Sequence, residues 1–196
     1  MIRSYFNSKA DIWDEQIAEK DLKKLADLAE KLDIQPGSTV LDVGTGTGVL
    51  VPFLLRKIGG QGKLVCLDCA EEMLRKAQAK NFTGNIRYIC ADIMDNHLES
   101  GLFDAVVCYS SFPHFQDKPF ALRETYRLLK TRGNLFIGHT SSRAQINQIH
   151  RQIPILCRDL IPEDEEMRQW LAAAGFGEIK IEDGDKHYLV RATKSR

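Results

Sequence analysis

The stretch Leu41-Asp42-Val43-Gly44-Thr45-Gly46-Thr47-Gly48 joins an apolar run to a loop rich in glycine. The run that includes Val40 predicts a buried strand, and Val49 to Ile58 predict a helix whose first turn accommodates Pro52. Glycines between a strand and a helix let the backbone approach a ligand closely. This order is typical of an α/β domain with a ligand at the loop.

The spacing of the glycines distinguishes two classes of ligand. A dinucleotide loop of the form G-x-G-x-x-G would need a glycine at position 49, where the chain has Val49. The carboxylate of Asp42 would repel a pyrophosphate and attract a cationic amino group. S-adenosylmethionine carries an ammonium group and no phosphate, so the electrostatics favour it over a nicotinamide cofactor. We therefore predict a cofactor site formed by Asp42, Gly44, Thr45, Gly46 and Gly48.

Two further acids follow the next predicted strands. Asp68 ends the second strand and can accept both hydroxyls of a ribose. Cys69, the next residue, and Met73, five residues after Asp68, are predicted to bind the same cofactor. Asp92 follows the third strand, where it can accept a hydrogen bond from an adenine amino group, and Ile93 would cover the ring.

Short apolar runs alternate with amphipathic segments over the whole chain. This alternation predicts a parallel sheet covered by helices, an α/β fold. A first helix is expected over about residues 10–32, and a closing hairpin is expected to turn at Asp183-Gly184. The expected strands are 40–43, 63–67, 86–90, 103–109, 134–139, 177–182 and 186–193, and the other expected helices are 49–58, 71–80, 119–129, 143–151 and 162–174.

Composition limits the classes of function. The 196 residues suffice for one domain, and 27 basic and 27 acidic side chains leave no net charge to attract nucleic acid. No apolar stretch is long enough for a membrane span. Five cysteines without a disulfide framework favour a reducing, cytoplasmic location.

The ordered series of motifs resembles the class I S-adenosylmethionine-dependent methyltransferases, especially the small-molecule branch that includes the menaquinone and ubiquinone C-methyltransferases. The resemblance rests on LDVGTGTGVL, VCLDCAEEML, ADIMD, FDAVVCYSSFPHF and ALRETYRLLKTRGNLFIGH. It implies a Rossmann-like three-layer sandwich with a seven-stranded, mostly parallel sheet and an antiparallel last strand. It also implies that Asp42 faces the methionine amino group, Asp68 the ribose and Asp92 the adenine. Backbone around Cys108 and Tyr109 would hold the methionine end.

Such an enzyme transfers a methyl group to a small-molecule acceptor by in-line displacement. The loops after the fourth and fifth strands should face the methyl group. His114 is the first candidate for a base and His139 the second, although either histidine could instead only pack or satisfy a backbone group. His150 could line the same pocket. Nothing in the spacing of these histidines requires a metal ion, and we predict none.

We expect a single domain, residues 1–196, divided by role. Residues 1–32 would form a helical lid that places Tyr5, Phe6 and Trp13 over the site. Residues 33–140 would bind the cofactor, and residues 141–196 would supply acceptor-side helices and the closing hairpin. Two alternatives remain: a non-catalytic module that binds S-adenosylmethionine, and a nicotinamide-dependent oxidoreductase. No motif specifies the acceptor molecule or the oligomeric state.

Overall fold

A computed structural model describes residues 2–17 and 21–195, which form three layers with a seven-stranded sheet between helices. The strands are β1 (Thr39–Val43), β2 (Lys63–Asp68), β3 (Ile86–Cys90), β4 (Phe103–Tyr109), β5 (Leu129–His139), β6 (Phe176–Gly184) and β7 (His187–Lys194). The helices are α1 (Ile2–Ile12), α2 (Leu22–Glu30), α3 (Val51–Ile58), α4 (Glu71–Ala79), α5 (Lys118–Leu128), α6 (Arg143–Gln152) and α7 (Asp164–Ala174), with a π-helical turn at Trp13–Ile17.

The strands lie in the order β3-β2-β1-β4-β5-β7-β6. All neighbouring pairs from β3 to β5 are parallel, whereas β7 is antiparallel to both β5 and β6. This arrangement confirms the expected fold class and the antiparallel last strand. Because β1 pairs with β2 on one side and β4 on the other, the chain reverses direction across the sheet beside β1. Ligands of open α/β sheets bind outside the carboxyl ends of the strands at such a point.

Both faces of the sheet are covered at its centre, which explains why β1 and β4 are nearly continuous apolar runs, whereas the edge strands β3 and β6 include exposed residues. Along β4 the side chains alternate between the two faces, with Val106 and Cys108 in one core cluster and Ala105 and Val107 in the other. Helices α5 and α7 cover the first cluster, and α2 and α3 cover the second. Of the helices formed by residues 2–17 and 21–195, none combines the length and apolarity that crossing a membrane requires.

The N-terminal segment differs from the single helix expected over about residues 10–32. Helix α1 already begins at Ile2, and a separate helix α2 begins at Leu22. The prediction was wrong at Asp21, which leaves the helical conformation and caps α2 by accepting a hydrogen bond of 3.0 Å from the Lys24 amide. Residues 18–20 of the expected helix lie outside the described residues.

Two strand boundaries also differ from the expectation. The hairpin turns at Asp185-Lys186, so the predicted turn at Asp183-Gly184 was wrong by two residues. Asp183 is held in β6, where its carboxylate accepts a hydrogen bond of 2.9 Å from the backbone of Arg143. Strand β5 begins five residues before the expected 134, because Leu129 already pairs with Phe103 of β4.

Candidate active site

A cavity opens at the carboxyl ends of β1 to β4. It encloses about 710 Å³ of empty space including its mouth. The loops that follow these four strands form most of its wall, and α1 covers one side. Seven of the predicted cofactor residues line it: Gly44, Gly46, Asp68, Cys69, Met73, Asp92 and Ile93. An apolar cavity with few polar groups is the usual form of a small-ligand site.

The glycine loop is fixed by its neighbours on both sides. The backbone amides of Gly44 and Thr45 both donate to the carbonyl of Leu67, at 2.7 and 3.1 Å. Gly44 has a left-handed φ of +71°, and a Cβ placed on it would lie 2.3 Å from Cβ of Ser111. The Ser111 hydroxyl donates to the carbonyl of Val43 at 2.6 Å. Only glycine at position 44 allows the loops after β1 and β4 to pack this closely.

Asp68 connects two segments of the cavity wall. Its Oδ2 accepts a hydrogen bond of 2.8 Å from the Gly46 amide, and its Oδ1 accepts one of 2.8 Å from the Ala70 amide. The residue is 8% exposed, and burial raises the pKa of its carboxyl group against the opposing effect of these backbone donors. Asp68 thus sits at the wall as a largely buried carboxylate, where a polar group of a ligand can reach it.

Asp42 lies beneath the glycine loop and is 1% exposed. The hydroxyl of Thr45 donates to its Oδ2 at 2.5 Å. Burial and the nearby charge of Asp68 together raise the pKa of Asp42 to about 7, against the opposing effect of the Thr45 hydrogen bond. The side chain is therefore a buried acid that changes its charge near neutral pH.

Five predicted cofactor residues lie behind the wall: Asp42, Thr45, Gly48, Cys108 and Tyr109. Gly48 packs against Phe82, since a Cβ there would lie 2.9 Å from that ring. The side chains of Cys108 and Tyr109 are buried in opposite faces of the sheet. The chain reaches the cavity one residue later, at Ser110, which adopts a left-handed φ of +51°.

The loop after β3 contributes one exposed acid and one buried apolar side chain. Asp92 is exposed, and its Oδ1 accepts a hydrogen bond of 2.9 Å from the Met94 amide. Ile93 is 2% exposed. The loop therefore offers a carboxylate next to an apolar wall, a combination that suits the edge and face of a heterocyclic ring.

Trp13 of the π-helical turn lines the cavity wall, and so does Phe6 of helix α1, which packs over the cavity. Ion pairs hold α1 on α4, among them Arg3 with Glu71 at 2.9 Å. The ring of Phe6 lies 5.5 Å from that of Trp13, in edge-to-face contact. Tyr5, the third aromatic residue of the expected lid, contacts Phe6 but does not line the cavity.

The candidate bases occupy different environments. His114 lines the cavity, and its Nδ1 lies 2.9 Å from Oδ2 of Asp159. His139 does not line it and is 2% exposed. Burial and the nearby His114 and His150 lower the pKa of His139 to about 3, so this ring is neutral and weakly basic. The structure thus brings His114 to the cavity and leaves His139 in the protein interior.

Several residues of the cavity wall were not predicted from the sequence. Ile2 and Gln116 line the cavity although no motif pointed to them, and Ala91 and Met94 line it although only their neighbours in ADIMD, Asp92 and Ile93, were assigned to the cofactor. Asp159 was missed because it lies 45 residues from its partner His114, in a segment without periodic pattern. Within residues 2–17 and 21–195, no three His, Cys, Asp or Glu side chains are grouped so that they would hold a metal ion.

Comparisons with known proteins agree with this geometry. Residues 40–133 match the family model described as a methyltransferase domain. The chain is 31% identical to a ubiquinone/menaquinone biosynthesis C-methyltransferase, UbiE, of Idiomarina loihiensis, over 76% of this chain and 70% of that protein. It is 32% identical to the UbiE of Teredinibacter turnerae over 53% of this chain, which spans only 43% of that relative.

The fold has a close counterpart among solved structures. A crystal structure of an S-adenosylmethionine-dependent methyltransferase from Aquifex aeolicus superposes with a TM-score of 0.75 at 23% identity. The match covers 96% of this chain and 98% of the other. This likeness concerns the fold, whereas the identity to the Idiomarina enzyme over most of both chains establishes kinship. The chain belongs to the class I S-adenosylmethionine-dependent methyltransferases, enzymes that transfer the methyl group of that cofactor to an acceptor.

Proposed function

We propose that this methyltransferase acts on a small, flat acceptor bound beside His114, and that His114 takes the proton that the acceptor loses. One observation carries the proposal: Asp68, the glycine loop and His114 line the same cavity. A cofactor-binding wall and a group that can accept a proton then share one enclosed space. In-line transfer requires this proximity of donor, acceptor and base.

On the cofactor side, each acid suits a different part of S-adenosylmethionine. We assign the ammonium group to the negative field of Asp42 below the loop, the ribose hydroxyls to Asp68 and the adenine amino group to Asp92. Thr45 and Gly48 support the loop, while Gly44 and Gly46 give the backbone its close approach. The remaining predicted members of this cofactor site are Cys69, Met73, Ile93 and the backbone that follows Cys108 and Tyr109.

When bound, S-adenosylmethionine supplies a methyl group that is already activated on a sulfonium. The residues of this chain are left to position the acceptor, exclude water and accept its proton. His114 is 13% exposed at its side chain, which suits a base in a site with little bulk water. His139, with a pKa lowered to about 3, is a poor proton acceptor, so we give the base role to His114 alone.

The wall of the cavity favours a planar acceptor. The rings of Phe6, Trp13 and Phe115 line it and offer faces and edges against which another ring can pack. The relative from Idiomarina is named for ubiquinone and menaquinone biosynthesis, and we extend to this chain only the expectation of a ring-shaped acceptor. The equal numbers of acidic and basic residues, 27 of each, do not favour nucleic acid as the acceptor.

We also propose the division of roles along the chain and its location. Residues 1–32 act as a lid, residues 33–140 bind the cofactor and residues 141–196 form the acceptor side. Contacts of Phe6 and Trp13 with the cavity support the first assignment. The free thiols, including the exposed Cys90 and Cys157, support a reducing cytoplasm, since exposed thiols persist where disulfides are disfavoured.

The test combines a binding and a transfer measurement. S-adenosylhomocysteine is titrated calorimetrically into the wild type, and release of S-adenosylhomocysteine from S-adenosylmethionine is then measured with a panel of hydroxylated aromatic acceptors. His114→Gln should bind S-adenosylhomocysteine as the wild type does and lower kcat by about 10²- to 10⁴-fold.

His97→Gln is the matched control, because His97 is a surface histidine whose side chain is 89% exposed. It should change neither binding nor turnover. Full turnover by His114→Gln would refute the assignment of the base. Turnover with none of the ring-shaped acceptors, in a protein that binds S-adenosylhomocysteine, would refute the acceptor class.

A further inference from the structure

Asp159 contacts two histidines through two different parts of its structure. Its carboxylate Oδ2 lies 2.9 Å from Nδ1 of His114, and both side chains are largely buried, at 14% and 13% exposed. Its backbone carbonyl oxygen is in hydrogen-bond contact with Nδ1 of His150. The two imidazole rings lie 5.0 Å apart between centroids. One residue therefore holds a pair of neighbouring rings.

These contacts determine where each ring carries its proton. A backbone carbonyl can only accept a hydrogen bond, so Nδ1 of His150 must be the donor. An ionised carboxylate likewise only accepts, so Nδ1 of His114 also carries a proton. In both neutral rings, Nε2 is then left with its lone pair.

The segment that carries Asp159 is itself fixed. Asn147 of α6 is 5% exposed and forms two hydrogen bonds with the backbone of Ile161, accepting at 2.8 Å and donating at 2.9 Å. The amide of Asp159 donates to the carbonyl of Leu156 at 2.8 Å. These contacts fix the backbone of the segment from which the Asp159 carboxylate reaches His114, as precise orientation of a base requires.

We propose that Asp159 is a positioning residue that holds His114 and His150 with protonated Nδ1 atoms, so that His114 presents Nε2 to an acceptor whose nucleophile carries a proton. This inference rests on the proposed function. As the acceptor nucleophile forms its bond to the methyl carbon, the sulfur–carbon bond breaks, its electron pair stays on sulfur, and the acceptor proton moves to Nε2 of His114. The Asp159 carboxylate then faces the resulting imidazolium and balances its charge.

Burial also lowers the pKa of His150, which supports a neutral ring beside the base. A neutral neighbour adds no positive charge that would oppose protonation of His114. His150 would thus serve as a fixed polar neighbour of the His114 ring, outside the residues that line the cavity. The acceptors that suit this pair carry a hydroxyl or another acidic proton at the methylated position or conjugated with it.

The test uses protein labelled with ¹⁵N in histidine and needs no acceptor. Long-range ¹H–¹⁵N spectra at about pH 8.5, above the usual histidine range, show which ring nitrogen is protonated. Signals are assigned with His114→Gln and His150→Gln. Wild-type protein should show protonated Nδ1 for both rings. In Asp159→Ala and Asp159→Asn, His114 should lose this signature, whereas His150 should keep it because the backbone carbonyl remains.

Asp95→Asn is the control, since Asp95 pairs with the exposed His97 at 3.1 Å and should affect neither ring. An unchanged His114 signal in Asp159→Ala would overturn the proposal, as would equal changes at both histidines, which indicate a merely structural role. With an acceptor, Asp159→Asn should lower kcat by about 10²-fold and leave the Kd for S-adenosylhomocysteine unchanged. If wild-type protein shows the expected tautomers but methylates no acceptor, the proposed function fails and the positioning role stands.

Discussion

The backbone amide of Gly46 donates a hydrogen bond of 2.8 Å to Oδ2 of Asp68, so one carboxylate joins the glycine loop to the end of β2. The other oxygen, Oδ1, accepts from the Ala70 amide at 2.8 Å. A carboxylate has about four sites for hydrogen bonds, two on each oxygen. Asp68 can therefore hold the loop in shape and still accept two ribose hydroxyls.

This double role predicts a large loss of affinity in Asp68→Ala. The proposed ribose contacts and the anchor of Gly46 would be lost together. The Kd for S-adenosylhomocysteine should rise by about 10²- to 10³-fold, equivalent to about 3 to 4 kcal/mol. Calorimetric titration measures this change, and thermal unfolding of the same samples reports the cost to the fold.

Asp104→Ala is the matched control for that variant. Asp104 also accepts a backbone hydrogen bond, from the Thr39 amide at 2.8 Å, but it lies outside the cavity wall. Its loss should lower the free energy of unfolding and leave the affinity unchanged. Equal affinity losses in both variants would argue that Asp68 acts only through stability.

The raised pKa of Asp42 predicts that cofactor binding releases a proton. The buried carboxyl has a pKa of about 7, so below that pH it is mostly protonated in the free protein. An ammonium group bound nearby favours the ionised form. The affinity for S-adenosylhomocysteine should therefore rise as the pH increases from about 5 to about 7 and level off above it.

Calorimetry in two buffers of different ionisation enthalpy measures the number of protons that are released when the ligand binds. At about pH 6, the wild type should release close to one proton per ligand. The Asp42→Asn variant has no carboxyl group to ionise at this position. It should therefore bind S-adenosylhomocysteine more weakly, and its binding enthalpy should not depend on the buffer. Release of the same number of protons by both proteins would assign the titration to another group.

Most of the sheet could be predicted because its strands are short runs rich in apolar residues, which in β1 and β4 are buried almost throughout. The expected bounds of the third and fourth strands, 86–90 and 103–109, coincide with β3 and β4. Local sequence signals gave wrong boundaries where tertiary contacts determine the conformation. The Asp183-Gly184 pair is a strong turn signal, yet the hydrogen bond from Arg143 keeps Asp183 in β6.

The residues of the candidate site also divide into those that could be predicted from the sequence and those that could not. Asp68 and Asp92 could be found because they follow strands whose carboxyl ends meet at one edge of a parallel sheet. No comparable rule points to Asp159, because only the packing of α6 against a loop without periodic pattern brings it to His114. The roles of Asp68, Asp92 and Asp159 in binding and catalysis remain predictions.

Two glycines of the same loop should respond differently to alanine. Gly44 and Gly46 both have positive φ, +71° and +55°, so a side chain is strained at either position. At Gly46 the added Cβ meets nothing within 4 Å, whereas at Gly44 it would lie 2.3 Å from Cβ of Ser111. Gly46→Ala should cost about 1 to 2 kcal/mol of unfolding free energy, and Gly44→Ala should cost more.

Chemical denaturation gives both free energies of unfolding. Relief of the contact offers a further check, since Gly44→Ala combined with Ser111→Gly should be less destabilised than the sum of the two single variants. If the changes in unfolding free energy of the two single variants simply add in the double variant, the two positions are not in steric conflict.

The aromatic side chains of α1 provide a test of the lid. Phe6 lines the cavity and lies 5.0 Å from the ring of His114, whereas Tyr5 contacts Phe6 from outside the wall. Phe6→Ala removes apolar surface that would cover the ligand, so its Kd for S-adenosylhomocysteine should rise by about 10-fold or more, the equivalent of about 1.5 to 3 kcal/mol. Because Arg3 and Glu71 still hold α1 on α4, the thermal midpoint should change little.

Tyr5→Ala is the paired control and should bind S-adenosylhomocysteine as the wild type does. Stopped-flow measurement should show that the loss of affinity in Phe6→Ala comes from faster dissociation of the ligand. A lid would be refuted by equal affinities for all three proteins, and a purely structural role of α1 would appear as equal losses in both variants.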